Sequence, residues 1–151
     1  MLSTIESKDY LDFQKRVNYN KFDSEYAKSF IIYAIAKEHV GEYEEAYKSI
    51  LCAAWISDDI KASDHARIYR RRVCNVFNRY FDINSVNIRQ ALQHLDVMRR
   101  CEMFDDVIKM CDVIPFYPNH VYEDLKKLQR QLAEERDNTK YFMESALYCG
   151  E

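Results

Sequence analysis

The sequence predicts an all-α protein. Three observations carry this prediction. Glycine and proline are almost absent, apolar residues recur at helical spacing through most of the chain, and residues that cap helices stand in front of those runs. Only 2 Gly and 2 Pro occur in 151 residues, where average usage would supply roughly 18. Hairpins, positive-φ turns and phosphate-cradling loops all draw on glycine. A doubly wound nucleotide fold, a P-loop and a many-stranded sandwich are therefore poor readings.

Eight helical segments follow in order. The first spans residues 7–19, with Tyr10, Phe13 and Val17 on one stripe. Ser24 opens the second as an N-cap, and it runs to Val40. Its residues Tyr26, Ala27, Phe30, Ile31, Tyr33, Ala34 and Ile35 leave little polar surface, so this helix is expected to pack on two sides. Gly41 ends it, because a left-handed residue costs glycine nothing. The third helix covers Tyr43 to Ser57, with Tyr43, Ala46, Tyr47, Ile50, Leu51 and Ala54 as its stripe, and a loop SDDIKAS follows.

The fourth segment covers Ser63 to Phe81. Ala66, Tyr69, Val73, Val76, Phe77 and Tyr80 form its apolar face. Arg67, Arg71, Arg72 and Arg79 lie on the other side, and Arg70 falls at the border. Ser85 is the expected cap of the fifth, which turns Ile88, Ala91, Leu92, Leu95 and Met98 inward. A break at Glu102 leads to the sixth, with Phe104, Val107, Ile108 and Cys111, which PFYPN terminates. Asn119 caps the seventh, whose stripe is Tyr122, Leu125, Leu128 and Leu132; an eighth closes the chain over residues 139–147. No linker or shift in composition marks a boundary, so residues 1–151 read as one domain of antiparallel helix hairpins.

Composition bounds the rest. Hydrophobic residues are 48% and charged residues 31%, which describes a globular chain. No apolar run approaches the ~20 residues of a membrane span. The start, MLSTIESKDYLDF, lacks a basic region followed by an apolar one and does not read as a secretory signal. Five scattered cysteines, Cys52, Cys74, Cys101, Cys111 and Cys149, then suggest reduced thiols and a cytoplasmic location. A net charge of −3 argues against a dedicated nucleic-acid binder.

Two stretches are alike: FIIYAIAKEHVGEYEEAYKSILCAA and ALQHLDVMRRCEMFDDVIKMCDVIPFYP. Each reads as a helix, a break, an aromatic two residues later, a pair of acids and a second helix. This pattern resembles the tetratricopeptide repeat, a helix hairpin of about 34 residues. Tyr33, Ala34, Gly41, Tyr43, Ala46 and Ala53 match it in the first stretch; Leu95, Phe104 and Val107 match in the second. Glu102 stands where the glycine belongs, and Pro118 lies one residue before the closing proline. Tyr43 and Phe104 are 61 residues apart, where two full repeats give about 68, so residues 63–81 form a degenerate element. The likeness covers residues 24–118, and YKSILCAAWISDD is similar to prokaryotic repeat modules of this type.

The resemblance implies a short right-handed stack of antiparallel hairpins with a groove for a peptide or helix of a partner protein. In the family, first helices of each pair line that groove. Here they propose Lys28, Ile31, Ile35 and Glu38 from one hairpin, and Arg89, Leu92, Asp96 and Arg99 from the other. The Lys/Asn set that clamps a C-terminal carboxylate in some members is missing. The arginine face adds Arg67 and Arg71. It reads first as a solvated or salt-bridged surface, with Asp58 and Asp59 as partners for Arg71 or Arg72. An acidic peptide or a nucleic acid held by Arg67 to Arg72 are the alternatives.

Nothing points to chemistry. No CxxC or HExxH occurs, and Cys101 and Cys111 are ten apart, so no metal or cofactor is expected. Cys74, Cys101 and Cys111 read as small buried hydrophobes. His39, His65, His94 and His120 read as surface residues near helix ends or polar faces. The expectation is a non-enzymatic interaction module or adaptor, with an accessory subunit of an enzyme complex as a further alternative. Another protein or peptide is its expected partner, with self-association left open.

Overall fold

The computed structural model describes residues 25–139. The first segment read from the sequence, all of the eighth but residue 139, and Ser24 lie outside these residues. Among the described residues there are six helices and no strand. We number them α1 (Glu25–His39), α2 (Tyr43–Asp59), α3 (Ser63–Tyr80), α4 (Ile88–Arg100), α5 (Phe104–Val113) and α6 (His120–Glu134). The all-α fold class is as the sequence predicts. None of these helices is long and apolar enough to cross a membrane. The contacts gather into two compact units, Met1–Tyr80 and Phe81–Glu151.

In the first unit α2 packs against both α1 and α3. Its small residues Ala46, Ala53 and Ala54 are fully buried, and these are side chains that let neighbouring helices approach closely. Large side chains fill the remaining space: Tyr47 and Leu51 from α2, Ile31 from α1, and Tyr69, Val73 and Phe77 from α3. At one end of the α2–α3 pair the rings of Tyr43 and Tyr80 stack, 3.6 Å apart and 7° from parallel. Helix α2 runs on to Asp59, past the expected end at Ser57. The acidic stretch taken for a loop continues the helix, because Asp58 is engaged by an arginine of α3 instead of capping the turn.

In the second unit α4, α5 and α6 contact one another pairwise. Helix α4 is buried around its whole circumference from Ala91 to Arg99. Its cap is Asn87, whose side-chain oxygen accepts from the Gln90 N–H at 2.8 Å. The expected cap, Ser85, instead donates its N–H to Asp82 O at 2.9 Å in the preceding turn. Asn119 caps α6 as expected, accepting from the Val121 N–H at 2.9 Å.

One turn is used three times. At Gly41, Lys61 and Glu102 the backbone is left-handed, with φ of 84°, 59° and 64°. In each case two residues further on the next helix begins. The bonding is the same throughout. The Gly41 N–H donates to Glu38 O at 3.2 Å and the Glu42 N–H to Lys37 O at 2.8 Å. Lys61 and Ala62 repeat the pattern on Asp58 and Ser57, and Glu102 and Met103 repeat it on Arg99 and Met98. Arg136, with φ 56°, ends α6 the same way on Ala133 and Leu132. These are Schellman motifs, which satisfy the last carbonyls of a helix. Glycine fills only one of the four, so a chain almost without glycine still turns through left-handed residues.

Helix α6 departs from the stripe read in the sequence. Of its expected inward set only Leu132 is fully buried; Tyr122, Leu125 and Leu128 are half-buried. Glu123, Lys126, Gln129 and Ala133 are buried in their place. The helix is rotated because its polar side chains find partners inside the unit.

Candidate functional site

The ten side chains proposed for partner binding divide by exposure. On α1, Ile31 and Ile35 are buried core residues and do not line an open face. Lys28 is partly exposed and its amine lies 3.1 Å from Glu25. Glu38 is held by Arg72, with the guanidinium Nη2 3.3 Å from Oε2, a pair that ties α1 to α3. On α3, Arg67 and Arg71 are exposed, as the helical wheel predicts.

The partner of Asp58 is a correction to the sequence reading. Arg70, placed at the border of the face, is buried and forks onto Asp58, Nη1 to Oδ1 at 3.1 Å and Nη2 to Oδ2 at 2.6 Å. Arg72 pairs with Glu38, and Arg71 is exposed. Such a two-bond fork fixes orientation as well as charge. Two of the arginines from Arg67 to Arg72 are thus bound inside the unit, which thins the basic face available to phosphates or to an acidic peptide.

On α4 the reversal is larger. Arg89 is half-buried and its Nε lies 3.4 Å from the Tyr122 hydroxyl. Leu92, Asp96 and Arg99 are buried, so these three also do not line an open face. Arg99 and Asp96 build the centre of the second unit. Arg99 Nη2 donates to Asp96 Oδ1 at 2.8 Å, and its Nε donates to Gln129 Oε1 at 2.7 Å. Its Nη1 donates to the carbonyls of Asp137 and Thr139 at 2.7 and 2.8 Å. Gln129 returns to Asp96 Oδ1 at 2.9 Å. Among the described residues Asp96 Oδ2 has no hydrogen-bond partner. The network fastens the chain after α6 onto α4, and the bond from Asn138 Nδ2 to Glu102 Oε1 at 2.9 Å fastens it to the turn that follows α4.

Beside it on α4, His94 is wholly buried, and burial pushes its pKa down to about 3. His65 is buried as well, whereas His39 and His120 are exposed as expected. The surface reading fails for His94 because α4 has no solvent face over this stretch.

One exposed feature stands out in the second unit. Phe116 is 72% exposed. It sits in the α5–α6 connection between Pro115 and Pro118. That connection is pinned. The Tyr117 N–H donates to Glu123 Oε2 at 2.8 Å, and Lys126 Nζ donates to Pro115 O at 3.2 Å while pairing with Glu123 at 3.1 Å. The same amine lies 5.1 Å from the Tyr117 ring centroid. Burial raises the Glu123 carboxyl, but the Tyr117 N–H and Lys126 outweigh it and hold the group below its ordinary range. Val113 and Val121, at the helix ends on either side of this connection, are also exposed. The sequence signal is the motif PFYPN, an aromatic pair fixed between prolines, which predicts a helix stop but does not by itself predict an exposed ring.

The chemistry available is limited. Cys74, Cys101 and Cys111 are buried as expected, and burial pushes the Cys111 thiol up to about 11, away from thiolate reactivity. Among the described residues no group of three or more His, Cys, Asp or Glu side chains is placed to hold a metal ion. Compared with known proteins, the chain matches no family model, no curated protein and no solved structure.

Proposed function

We propose that this chain is a protein-interaction module rather than an enzyme, a short right-handed stack of helix hairpins of the tetratricopeptide type that takes a peptide or helix of a partner protein. The repeated hairpin turn and the small residues of α2 support the architecture. The observation that carries the binding reading is Phe116. An aromatic side chain left in solvent by a mobile loop is unremarkable, but here the loop is held by a buried Glu123–Lys126 pair and two prolines. A preorganised aromatic anchor loses little entropy on docking, and such residues dominate interface energies. The partner segment this fits presents an apolar side chain that packs against the exposed ring.

The test replaces Phe116 by a photo-crosslinking phenylalanine analogue in the native host. A discrete adduct with one protein is expected at this position and not at Lys127, an exposed site on α6. Phe116→Ser should keep the melting temperature and abolish co-purification of that protein. Absence of any adduct at 116 would defeat this reading.

A further inference from the structure

We infer that the connection from Ile114 to Asn119 is a fixed polyproline-II ligand, and that its edge carrying Pro115 and Pro118 docks in a partner groove lined by aromatic side chains. Both prolines of the chain lie here, three residues apart. Ile114 has backbone angles close to polyproline II, φ −66° and ψ 130°, and Asn119 is extended at φ −74° and ψ 116°. Each proline fixes its own φ near −65° and holds the residue before it, Ile114 or Tyr117, in the extended region. Residues 115–117 belong to no helix or turn.

Burial in this segment repeats every third residue. Ile114 and Tyr117 are buried, Pro115 and Pro118 are exposed, and so are Phe116 and Asn119. A polyproline-II helix has three residues per turn, so residues three apart share an edge. One edge therefore faces the unit and the other two face solvent. The inward side is fastened by the Tyr117 N–H on Glu123 and by Lys126 on the Pro115 carbonyl. A segment ordered in advance loses little freedom on docking. Proline rings one turn apart on an exposed edge are what an aromatic-lined groove takes, because they are rigid, apolar and without a backbone donor. The partner is a protein, as in the preceding reading, but Phe116 stands on a different edge and the contact is made by different residues.

Proline-selective NMR of the full-length protein tests this. Isotope-labelled proline reports on this connection alone, because the chain has no other proline. The probe is a purified WW domain, whose groove is lined by aromatic side chains. Titration should move the resonances of both Pro115 and Pro118 upfield, as a ring stacked on them requires, and saturate with a Kd below about 1 mM. Pro115→Ala and Pro118→Ala, changes at exposed positions, should each weaken binding by about ten-fold. Absence of any shift in the wild type overturns the inference, as does binding that both alanine variants leave intact. A Phe116 adduct without proline shifts defeats only this assignment, and proline shifts without an adduct defeat only the reading of Phe116.

Discussion

Asp96 and Arg99, one turn apart on α4 and both without solvent exposure, meet at 2.8 Å, and Gln129 from α6 touches both. The guanidinium carries four hydrogen bonds in three directions: to a carboxylate, to an amide and to two carbonyls of the segment after α6. Only a planar fork serves them together. Arg99→Lys keeps the charge but leaves most of these acceptors without a donor. We expect a loss of about 3–5 kcal/mol, the range for breaking a buried ion pair, read as the shift of the urea midpoint at constant m-value. Gln129→Leu removes a neutral partner and should cost less, about 1–3 kcal/mol.

His94 gives the fold a specific acid sensitivity. Its folded pKa of about 3 lies below the ordinary value of 6.5. The folded state therefore prefers the neutral ring. The associated stability is complete above pH 6.5 and is lost as pH falls from there toward the folded value. Between pH 7.5 and 5.5 this residue alone should remove about 1.4 kcal/mol. Chemical denaturation at the two pH values measures it, and in His94→Leu that part of the difference should vanish.

The four left-handed turns offer a test with opposite signs. Lys61 occupies a conformation that disfavours an L side chain by about 1–2 kcal/mol. Lys61→Gly relieves this, less the chain entropy glycine adds to the unfolded state, so a gain of about 0.5–1 kcal/mol is expected. At Gly41 an added Cβ meets nothing within 4 Å, so the cost of a side chain there is conformational. Gly41→Val should lose more than about 1 kcal/mol and Gly41→Asn distinctly less. Thermal melts of the three variants separate these effects.

Periodicity made most helix starts and the stripes of α2 and α3 legible in the sequence, and Gly41 announced its own turn. Glu102 was visible only by its place in the repeat, and Lys61 not at all, because nothing in a lysine signals positive φ. The inner face of α6 was hidden for a different reason. A helical wheel assigns polar residues outward, and it carries no sign that Gln129 donates to Asp96, 33 positions away. Asp96 and Arg99 are proposed for the groove by the family resemblance, which places residues of the first helix on an open face and carries no information about their partners. Polar side chains whose partners are distant in sequence look like surface until the fold brings the partners together.

Arg70 and Arg71 put that lesson to a measurement. They are neighbours in sequence and opposite in environment. Arg70 is buried and forked onto Asp58, and Arg71 is exposed. Asp58→Ala leaves a buried guanidinium without its carboxylate, and a loss of about 3 kcal/mol is expected. Arg71→Glu changes the charge by two units at the surface, where substitutions stay within about 0.5 kcal/mol. If the arginine face also bound nucleic acid, Arg71→Glu would weaken binding without unfolding, and wild-type affinity would fall by orders of magnitude between 50 and 200 mM salt. With Arg70 and Arg72 engaged by Asp58 and Glu38, we expect no such salt-steep binding. Fluorescence anisotropy with a random-sequence RNA, alongside the two melts, decides between a structural face and a binding one.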